Sequence, residues 1–340
     1  MTPDLAAIAR DPAWLANRYD ESQDAIHFVR LTREEHRAVT FVTDEYISAE
    51  APRLVLRRGD VAAAAAPPAP LHFIFHSAYC CSTVLARAVD IEGVSMGLKE
   101  PMILNDMVGW RRRGAAPAAL APVLDDVLTL LARPFSPGEA VVIKPSNLLN
   151  AIAPAMLAAR PQSRAILLYA PLPDFLRSIA RKGLWGRRWA RELFIGQLRD
   201  GLVDLGLGEQ HYLDLTDLQV AAAGWLAQQD LFGRLIVRFG PQRVRTLDSA
   251  ALMARPGEAM AGLSDLFGLG LDEAAVEAVL AGPGFTSHSK SNAGFSAGDR
   301  LAEQRDAAAT HADEIDKVAL WAEAVAATAE VPLQPGASLL

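Results

Sequence analysis

Five short apolar segments, separated by longer stretches with helical character, constrain the fold of this chain more than any other feature. They are "HFIF" at 72–75, "VSMGL" at 94–98, "AVVIK" at 140–144, "RAILLY" at 164–169 and "RVRTL" at 243–247. Continuous apolar runs of this length suit strands that are buried on both faces, and strands that alternate with helices form parallel sheets. The sequence therefore predicts an α/β fold with a mostly parallel sheet of about five strands flanked by helices.

A break in composition divides the chain before the first of these segments. The stretch "AAAAAPPAP" at 62–70 is rich in proline and alanine, as a connector would be. We therefore predict an N-terminal extension and linker over 1–69, a main domain over 70–330 and a C-terminal tail over 331–340. Within the extension, "AIHFVRLTREEHRAVTFVTDEYI" predicts a hairpin or a short helix.

Composition excludes several classes of partner. The chain has 340 residues, of which 51% are apolar, so it can bury a large core. Its formal net charge is −7, which provides no overall positive field for nucleic acid. No stretch approaches the ~20 uninterrupted apolar residues of a spanning helix, and the N-terminal segment lacks the apolar core of a signal peptide. We expect a soluble cytoplasmic protein with no membrane span and no nucleic-acid partner.

The segment that follows the first predicted strand, "HSAYCCST", has the composition of an anion-binding loop. A strand, a loop of small residues and a helix N terminus bring backbone N–H groups together, and Ser82 and Thr83 add hydroxyls. Two alternatives remain open from the residues alone: a buried turn with structural cysteines, or a thiol site at Cys80 and Cys81. The chain has no C-x-x-C motif and no cluster of histidines nearby, which disfavours redox and metal chemistry.

The stretch "FIFHSAYCCSTVLAR" resembles the 5′-phosphosulfate loop of the P-loop sulfotransferases. In that family a strand is followed by Arg/Lys-Ser-Gly-Thr-Thr and a helix. On this pattern Cys80, Cys81, Ser82 and Thr83 take the places of Ser, Gly, Thr and Thr, whereas Tyr79 departs from the basic residue. The resemblance implies a P-loop-type three-layer fold in which the loop binds the co-substrate 3′-phosphoadenosine 5′-phosphosulfate through Ser77, Ala78, Tyr79, Cys80, Cys81, Ser82 and Thr83.

The resemblance extends over about residues 70–300. The stretch "AGWLAQQDLFGRLIVRFGPQRVRTLDSAALMARPGEAMAGLSDLFGLGL" is similar to the C-terminal half of the family, where a long helix leads to a short strand and then to a helix opened by proline. The implied reaction is transfer of a sulfuryl group to an acceptor hydroxyl or amine, on a small-molecule or carbohydrate-type acceptor. The resemblance implies no metal cofactor.

Two strand ends supply the candidate catalytic residues. Glu100, after the second strand, is the candidate base, because some sulfotransferases use a carboxylate or histidine from this region. Its alternative is a structural glutamate paired with Lys99 or with a helix N terminus. Lys144 ends an apolar strand, where an unpaired charge is costly unless it faces the crevice, and it resembles the family's sulfonate-stabilising lysine. Ser146 is expected to cap the next helix.

The 3′-phosphate of the co-substrate requires a second group of residues. Ser178 in "DFLRS" matches the family's serine, but Tyr169 and Ala170 stand where the family has an arginine. Arg177, Arg181 or Lys182 is the expected substitute. The segment "FTSHSKSNAGFSAGDR" at 285–300, which contains His288 and Lys290, is either a flap over the co-substrate, with Lys290 as a contact, or a segment without a role.

Two other functions remain open at this point. A P-loop kinase or nucleotide hydrolase is disfavoured because Ser82 occupies the lysine position of G-x-x-x-x-G-K-[ST] and no Asp-terminated apolar strand follows. A non-catalytic relative is favoured by Tyr79 and by the missing arginine. The sequence predicts neither the acceptor nor the oligomeric state.

Overall fold

The computed structural model describes residues 4–286 and 297–340. Its strands are β1 (Trp14–Asp20), β2 (Ala25–Arg30), β3 (Arg53–Arg57), β4 (Leu71–His76), β5 (Ser95–Lys99), β6 (Ala140–Lys144), β7 (Ala165–Tyr169) and β8 (Val244–Asp248). Its helices up to β7 are α1 (Leu5–Arg10), α2 (Arg33–Ala38), α3 (Arg58–Ala64), α4 (Ser82–Ala88), α5 (Met102–Arg112), α6 (Pro117–Leu131), the 3₁₀ helix η1 (Asn147–Ile152) and α7 (Ala153–Ala159). The later helices are α8 (Leu172–Arg181), α9 (Gly183–Arg199), α10 (Glu209–Asp214), α11 (Asp217–Phe239), α12 (Ser249–Ala254), α13 (Pro256–Phe267), α14 (Glu273–Ala281), α15 (Pro283–Thr286) and α16 (Ala297–Thr328).

The main sheet confirms the predicted fold class. Five parallel strands lie in the order β5-β6-β4-β7-β8 and are flanked by helices. Every residue of β4, β5, β6 and β7 is buried, which is why these strands read as continuous apolar runs rather than alternating ones. All five begin and end within one residue of the predicted segments.

The strand order places one loop at the centre of the sheet's C-terminal edge. The chain leaves β4 towards β5 at one edge, and later leaves β7 towards β8 at the opposite edge. Crevices in open α/β sheets lie where the direction of the connections reverses, beyond the carboxyl ends of the strands. The loop after β4 therefore lies beside the expected crevice, with the ends of β6 and β7 on either side.

The N-terminal residues form their own small sheet and pack on the main domain. Strands β1, β2 and β3 are antiparallel in that order, so the segment from 25 contains both a hairpin strand and a short helix, α2. The buried guanidinium of Arg133 donates hydrogen bonds to the carbonyls of Ile8, Ala9 and Trp14 at 2.9, 3.1 and 2.5 Å. The division at residue 69 stays a prediction.

One glycine fixes how α4 crosses the sheet. A Cβ added at Gly97 of β5 would lie 2.5 Å from the backbone oxygen of Ala86 in α4. Such a contact is sterically forbidden, so only glycine allows the helix to pack this closely. The position of α4, and of the loop that leads into it, depends on this contact.

The C-terminal half has the predicted order of elements. The long helix α11 leads to β8, and after the short α12 the helix α13 begins at Pro256. The backbone of Thr246 in β8 then pairs with Ala337 and Leu339 at 2.9 and 2.8 Å, so the tail lies along the edge of the sheet. Among the described residues, no helix combines the length and apolar character needed to cross a bilayer.

Candidate active site

The loop after β4 has a strained backbone. Ala78, Tyr79 and Cys81 have φ values of 71°, 52° and 63°, in the left-handed region that side chains disfavour. Each such residue costs roughly 1–2 kcal/mol, and residues of this kind cluster at binding and catalytic sites. Three of them within four positions, beside the expected crevice, mark this loop as the leading candidate for a binding site.

Neighbouring strands hold the loop in this shape. The backbone N–H of Ser77 donates to the carbonyl of Leu168 in β7 at 3.0 Å. The Nδ1 atom of His76 accepts from Ala78 N at 3.1 Å, so its Nε2 carries the proton and donates to the carbonyl of Pro145 at 3.1 Å. These bonds tie the first half of the loop to the ends of β6 and β7.

A buried amide adds a further link below the loop. The side chain of Asn150 in η1 donates to the carbonyl of His76 at 3.0 Å and to Gln228 of α11 at 2.8 Å. Asn150 and Gln228 are both buried. The pair connects the start of the loop to the long helix α11.

The two cysteines differ in their surroundings. Cys80 is fully buried, its thiol lies 3.4 Å from the carbonyl of Leu168, and burial raises its pKa to about 12. A thiol in this environment stays protonated at neutral pH and is a poor nucleophile. Cys81 is only partly buried and occupies the N-cap position of α4. The geometry of Cys80 therefore disfavours the thiol-site alternative.

The end of the loop presents two hydroxyls. Ser82 and Thr83 are the first residues of α4, both are buried, and no side chain caps this helix. Within the part of the chain that the structure describes, neither hydroxyl has a hydrogen-bond partner. The first backbone N–H groups of a helix also lack partners within it. The arrangement can donate several hydrogen bonds to an oxyanion.

Glu100 and Lys144 contact each other at the ends of neighbouring strands. The Lys144 ammonium forms an ion pair with a Glu100 carboxylate oxygen, and the side chain of Lys144 is 1% exposed against 18% for Glu100. Glu100 has a φ of 57°, and its N–H donates to the carbonyl of Lys144 at 2.7 Å. The charge of Lys144 also acts on the Cys80 thiol. The carbonyl of Pro145, the residue after Lys144, accepts from His76 at the start of the loop, so the end of β6 that carries Lys144 lies beside the loop.

The carboxylate of Glu100 pairs with Lys144 and not with Lys99, which was one of its two structural alternatives. Lys99 donates instead to the carbonyls of Arg37 and Val39 at 3.0 and 2.5 Å, away from Glu100. Burial lowers the pKa of Lys99 to about 8. The expected cap is present: the hydroxyl of Ser146 accepts from the N–H of Leu148 at 3.5 Å and begins η1.

The N-terminal extension contributes a residue that no motif in the sequence singles out. The ring of Phe41 lies over Lys144, with 5.1 Å between the ammonium and the ring centroid. Its neighbour Val42 exchanges backbone hydrogen bonds with Lys99 and Met102, at 2.7 and 3.3 Å, on both sides of Glu100. The extension thus covers the Glu100–Lys144 pair. No pattern in the sequence around Phe41 predicts this contact, because Phe41 and Lys144 are far apart along the chain.

Two of the candidate 3′-phosphate residues on α8 are engaged with Asp174 of the same helix. Arg177 forms an ion pair with Asp174, and the Ser178 hydroxyl donates to the Asp174 carbonyl at 2.9 Å. Arg181 ends the same helix, close enough for its charge to act on the Tyr79 phenol. Lys290 and most of the predicted flap lie outside the described residues.

Tyr79 joins the loop to the helices that follow β7. Its ring contacts Trp189 edge-on, with centroids 5.1 Å apart, and lies 6.1 Å from the ring of Phe175. The ammonium of Lys182 is 5.8 Å from the centroid of the Tyr79 ring. Burial raises the pKa of the Tyr79 phenol. The residue that departs from the family pattern therefore lies beside a cation, Lys182.

No family model and no curated protein matches this chain. Among solved structures, it is similar to the sulfotransferase domain of the Synechococcus olefin synthase, with 13% identity over 67% of this chain and 82% of that domain and a TM-score of 0.40. The sulfotransferase domain from the curacin biosynthetic pathway gives 14% identity, 72% and 98% coverage and a TM-score of 0.42. A sulfotransferase from Mycobacterium avium gives 14% identity, 72% and 77% coverage and a TM-score of 0.41. At such identities and TM-scores, the likeness does not extend to activity.

Proposed function

We propose that this chain is a sulfotransferase, which transfers a sulfuryl group from 3′-phosphoadenosine 5′-phosphosulfate to an acceptor hydroxyl or amine. The observation that carries the proposal is the conformation of Cys81. This residue takes the glycine position of the family's loop pattern, and its φ of 63° is one that glycine adopts without strain. The resemblance in sequence and the backbone geometry thus agree at the same residue.

In this proposal the loop holds the 5′-phosphosulfate. The hydroxyls of Ser82 and Thr83 and the first N–H groups of α4 donate to its oxygens. Hydrogen bonds to a charged group contribute about 1.5–3 kcal/mol each, which can offset the strain of the loop. Since Ser82 stands where a triphosphate-binding loop has lysine, we assign a phosphosulfate rather than a triphosphate.

The 3′-phosphate is assigned to the end of α8. The Lys182 ammonium lies 5.8 Å from the centroid of the Tyr79 ring and so adjoins the loop, Arg181 precedes it in the chain, and Arg177 forms an ion pair with Asp174. We therefore assign the main role to Arg181 and Lys182, with Ser178 as a hydrogen-bond donor. Arg177 contributes only when it leaves Asp174.

The transfer step uses Glu100 and Lys144. The acceptor oxygen or nitrogen forms a bond to sulfur while the bond between sulfur and the bridging phosphate oxygen breaks, and the leaving nucleotide takes the electron pair. The Glu100 carboxylate accepts the acceptor's proton. Negative charge develops on the leaving oxygen and the transferring group, and the Lys144 ammonium stabilises it. The charges balance without a further reactant.

The ion pair has a role in this scheme before the co-substrate enters. Lys144 is held against Glu100 and under Phe41, and the proposal requires both charged groups to face the mouth of the loop. An entering sulfonate competes with Glu100 for the ammonium. As Lys144 turns towards the sulfonate, the Glu100 carboxylate becomes free to accept a proton. The acceptor is a small molecule or a carbohydrate in this proposal, and the location is the cytoplasm.

The test is a nucleotide titration. 3′-Phosphoadenosine 5′-phosphate should bind with 1:1 stoichiometry and raise thermal stability without added Mg²⁺. At ~100 times its dissociation constant, the ligand should add about 2.7 kcal/mol. A Mg²⁺-dependent shift with ATP alone would indicate a kinase or hydrolase, and no shift with either nucleotide would indicate a relative that lost the donor site.

Loop variants locate the binding site. Ser82→Ala and Thr83→Ala should each weaken nucleotide binding by about 1–3 kcal/mol. Thr129→Ala is the control, because this hydroxyl donates to a carbonyl within α6, outside the loop. Cys80→Ser should have a mild effect. Loss of activity in Cys80→Ser with no change in Thr83→Ala would restore the thiol mechanism.

Catalytic variants separate binding from turnover. With an acceptor found by screening small hydroxyl and amine compounds, Glu100→Gln should lower turnover by about 10²–10⁴. Lys144→Met should lower it by about 10²–10³. Nucleotide affinity should hardly change in Glu100→Gln, measured under conditions where circular dichroism shows the variant to be folded. Unchanged turnover in both variants would contradict these assignments.

A further inference from the structure

One cavity of the protein is not lined by any described residue of the loop at 77–83. This cavity of about 900 Å³ opens between α5, α6, α7 and η1 and the C-terminal ends of α9 and α11. Among the described residues that line it, none belongs to the loop, and neither Glu100 nor Lys144 is present. The cavity therefore needs an explanation separate from the proposed transfer.

Four arginines give this cavity an excess of positive charge. Arg111, Arg112, Arg199 and Arg238 line it together with a single carboxylate, Asp200. Four cations and one anion leave three positive charges, in a chain whose net charge is −7. Like charges gathered around a cavity repel one another, and a bound anion removes that repulsion.

Two of these arginines are held in place. Asp200, whose side chain is 3% exposed, accepts from Arg112 at 3.1 and 2.6 Å and from Arg111 at 3.4 Å. A Cβ added at Gly196 of α9 would lie 2.7 Å from an Arg112 guanidinium nitrogen, so glycine permits this close packing. The guanidinium forks of Arg111 and Arg112 are thus positioned before any ligand arrives.

The other two arginines of the cavity differ from these in their surroundings. Within the described part of the chain, neither Arg199 nor Arg238 takes part in an ion pair. They stand near the ends of α9 and α11, on the rim of the same cavity. Guanidinium groups bind phosphate, sulfate and carboxylate through paired N–H donors. These two side chains are the ones most available to a ligand.

The wall between the arginines is apolar. Leu120, Ile152, Pro154 and Ala155 line the same cavity. Ligand sites commonly combine such a wall with a few charged groups that fix the orientation of the ligand. We propose that this cavity binds an amphipathic organic anion, with an apolar body on this wall and a phosphate or sulfate group among the arginines.

Titration calorimetry with hexyl phosphate and hexyl sulfate tests the site and distinguishes the two anionic groups. The wild-type chain should bind at least one of them at 1:1 stoichiometry, inorganic phosphate about tenfold more weakly, and hexanol not at all. The Arg199→Ala/Arg238→Ala variant should bind about 10–100-fold more weakly, as expected for lost hydrogen bonds to a charged group.

Two control variants make the result specific. Arg188→Ala/Arg234→Ala removes the same charge from α9 and α11, at arginines paired with Glu192 and Asp230, and should bind like the wild type. Ser82→Ala/Thr83→Ala should also bind normally. An absence of saturable binding would overturn the proposal, and so would an equal loss of affinity in the Arg188/Arg234 control. It would also be overturned if hexanol or inorganic phosphate bound as tightly as the esters, or if the loop variant lost binding.

Discussion

The ion pair between Lys144 and Glu100 predicts an asymmetric effect on stability. The side chain of Lys144 is 1% exposed, whereas that of Glu100 is 18% exposed. Replacing the carboxylate by a neutral amide leaves a buried ammonium without its counter-charge, although the Phe41 ring still lies over it. Removing the ammonium leaves a carboxylate that water can still reach.

The expected magnitudes follow from these exposures. Glu100→Gln should lower the free energy of unfolding by about 3–5 kcal/mol, the cost of an uncompensated buried charge. Lys144→Met fills the same volume with an apolar side chain and should cost less than about 2 kcal/mol. The double variant buries no unpaired charge, so it should be more stable than Glu100→Gln alone.

Chemical denaturation at neutral pH measures the three variants. Lys317→Met is the control for the lysine substitution, because its ion pair with Asp313 is exposed and should contribute no more than about 0.5 kcal/mol. Equal losses in the two single variants, or a double variant that loses the sum of both, would refute the coupling between these side chains.

Three further predictions concern other parts of the fold. Cys81→Gly should raise the free energy of unfolding by up to about 1 kcal/mol, because glycine adopts the φ of 63° at this position without strain. Cys80→Gly is the control and should lower the free energy of unfolding. A similar loss of stability in both variants would contradict the proposed backbone strain at Cys81. Burial lowers the pKa of His36 to about 3. Below about pH 6.5 the unfolded chain therefore binds a proton at His36 that the folded chain does not, and the free energy of unfolding should fall between about pH 6.5 and about pH 3. His36→Phe should remove about 4 kcal/mol of that loss. Identical pH profiles of stability for the variant and the wild type would refute this. Arg133→Met should lower the free energy of unfolding by at least about 3 kcal/mol, because several backbone carbonyls lose their hydrogen-bond donor. In limited proteolysis, the N-terminal helix of this variant should be cleaved first. Simultaneous cleavage throughout the chain would argue against docking of the N-terminal helix by Arg133.

The sequence determined the fold class and the positions of the main strands. Strands buried on both faces must consist of consecutive apolar residues, so β4, β6 and β7 could be located to within one residue from composition alone. The same reasoning identified the loop after β4, because the carboxyl end of a parallel strand is where a crevice opens. The cap at Ser146 was also predictable, since capping involves only neighbouring residues.

Only the tertiary structure decided which side chains meet. Lys144 pairs with Glu100 because β5 and β6 are neighbours, and the strand order that makes them so depends on contacts between distant segments. Phe41 reaches this pair from the N-terminal extension, and Asp200 brings Arg111 and Arg112 together across two helices. Local propensity and periodicity report on residues close in sequence, whereas these contacts are fixed by the packing of whole elements into one core.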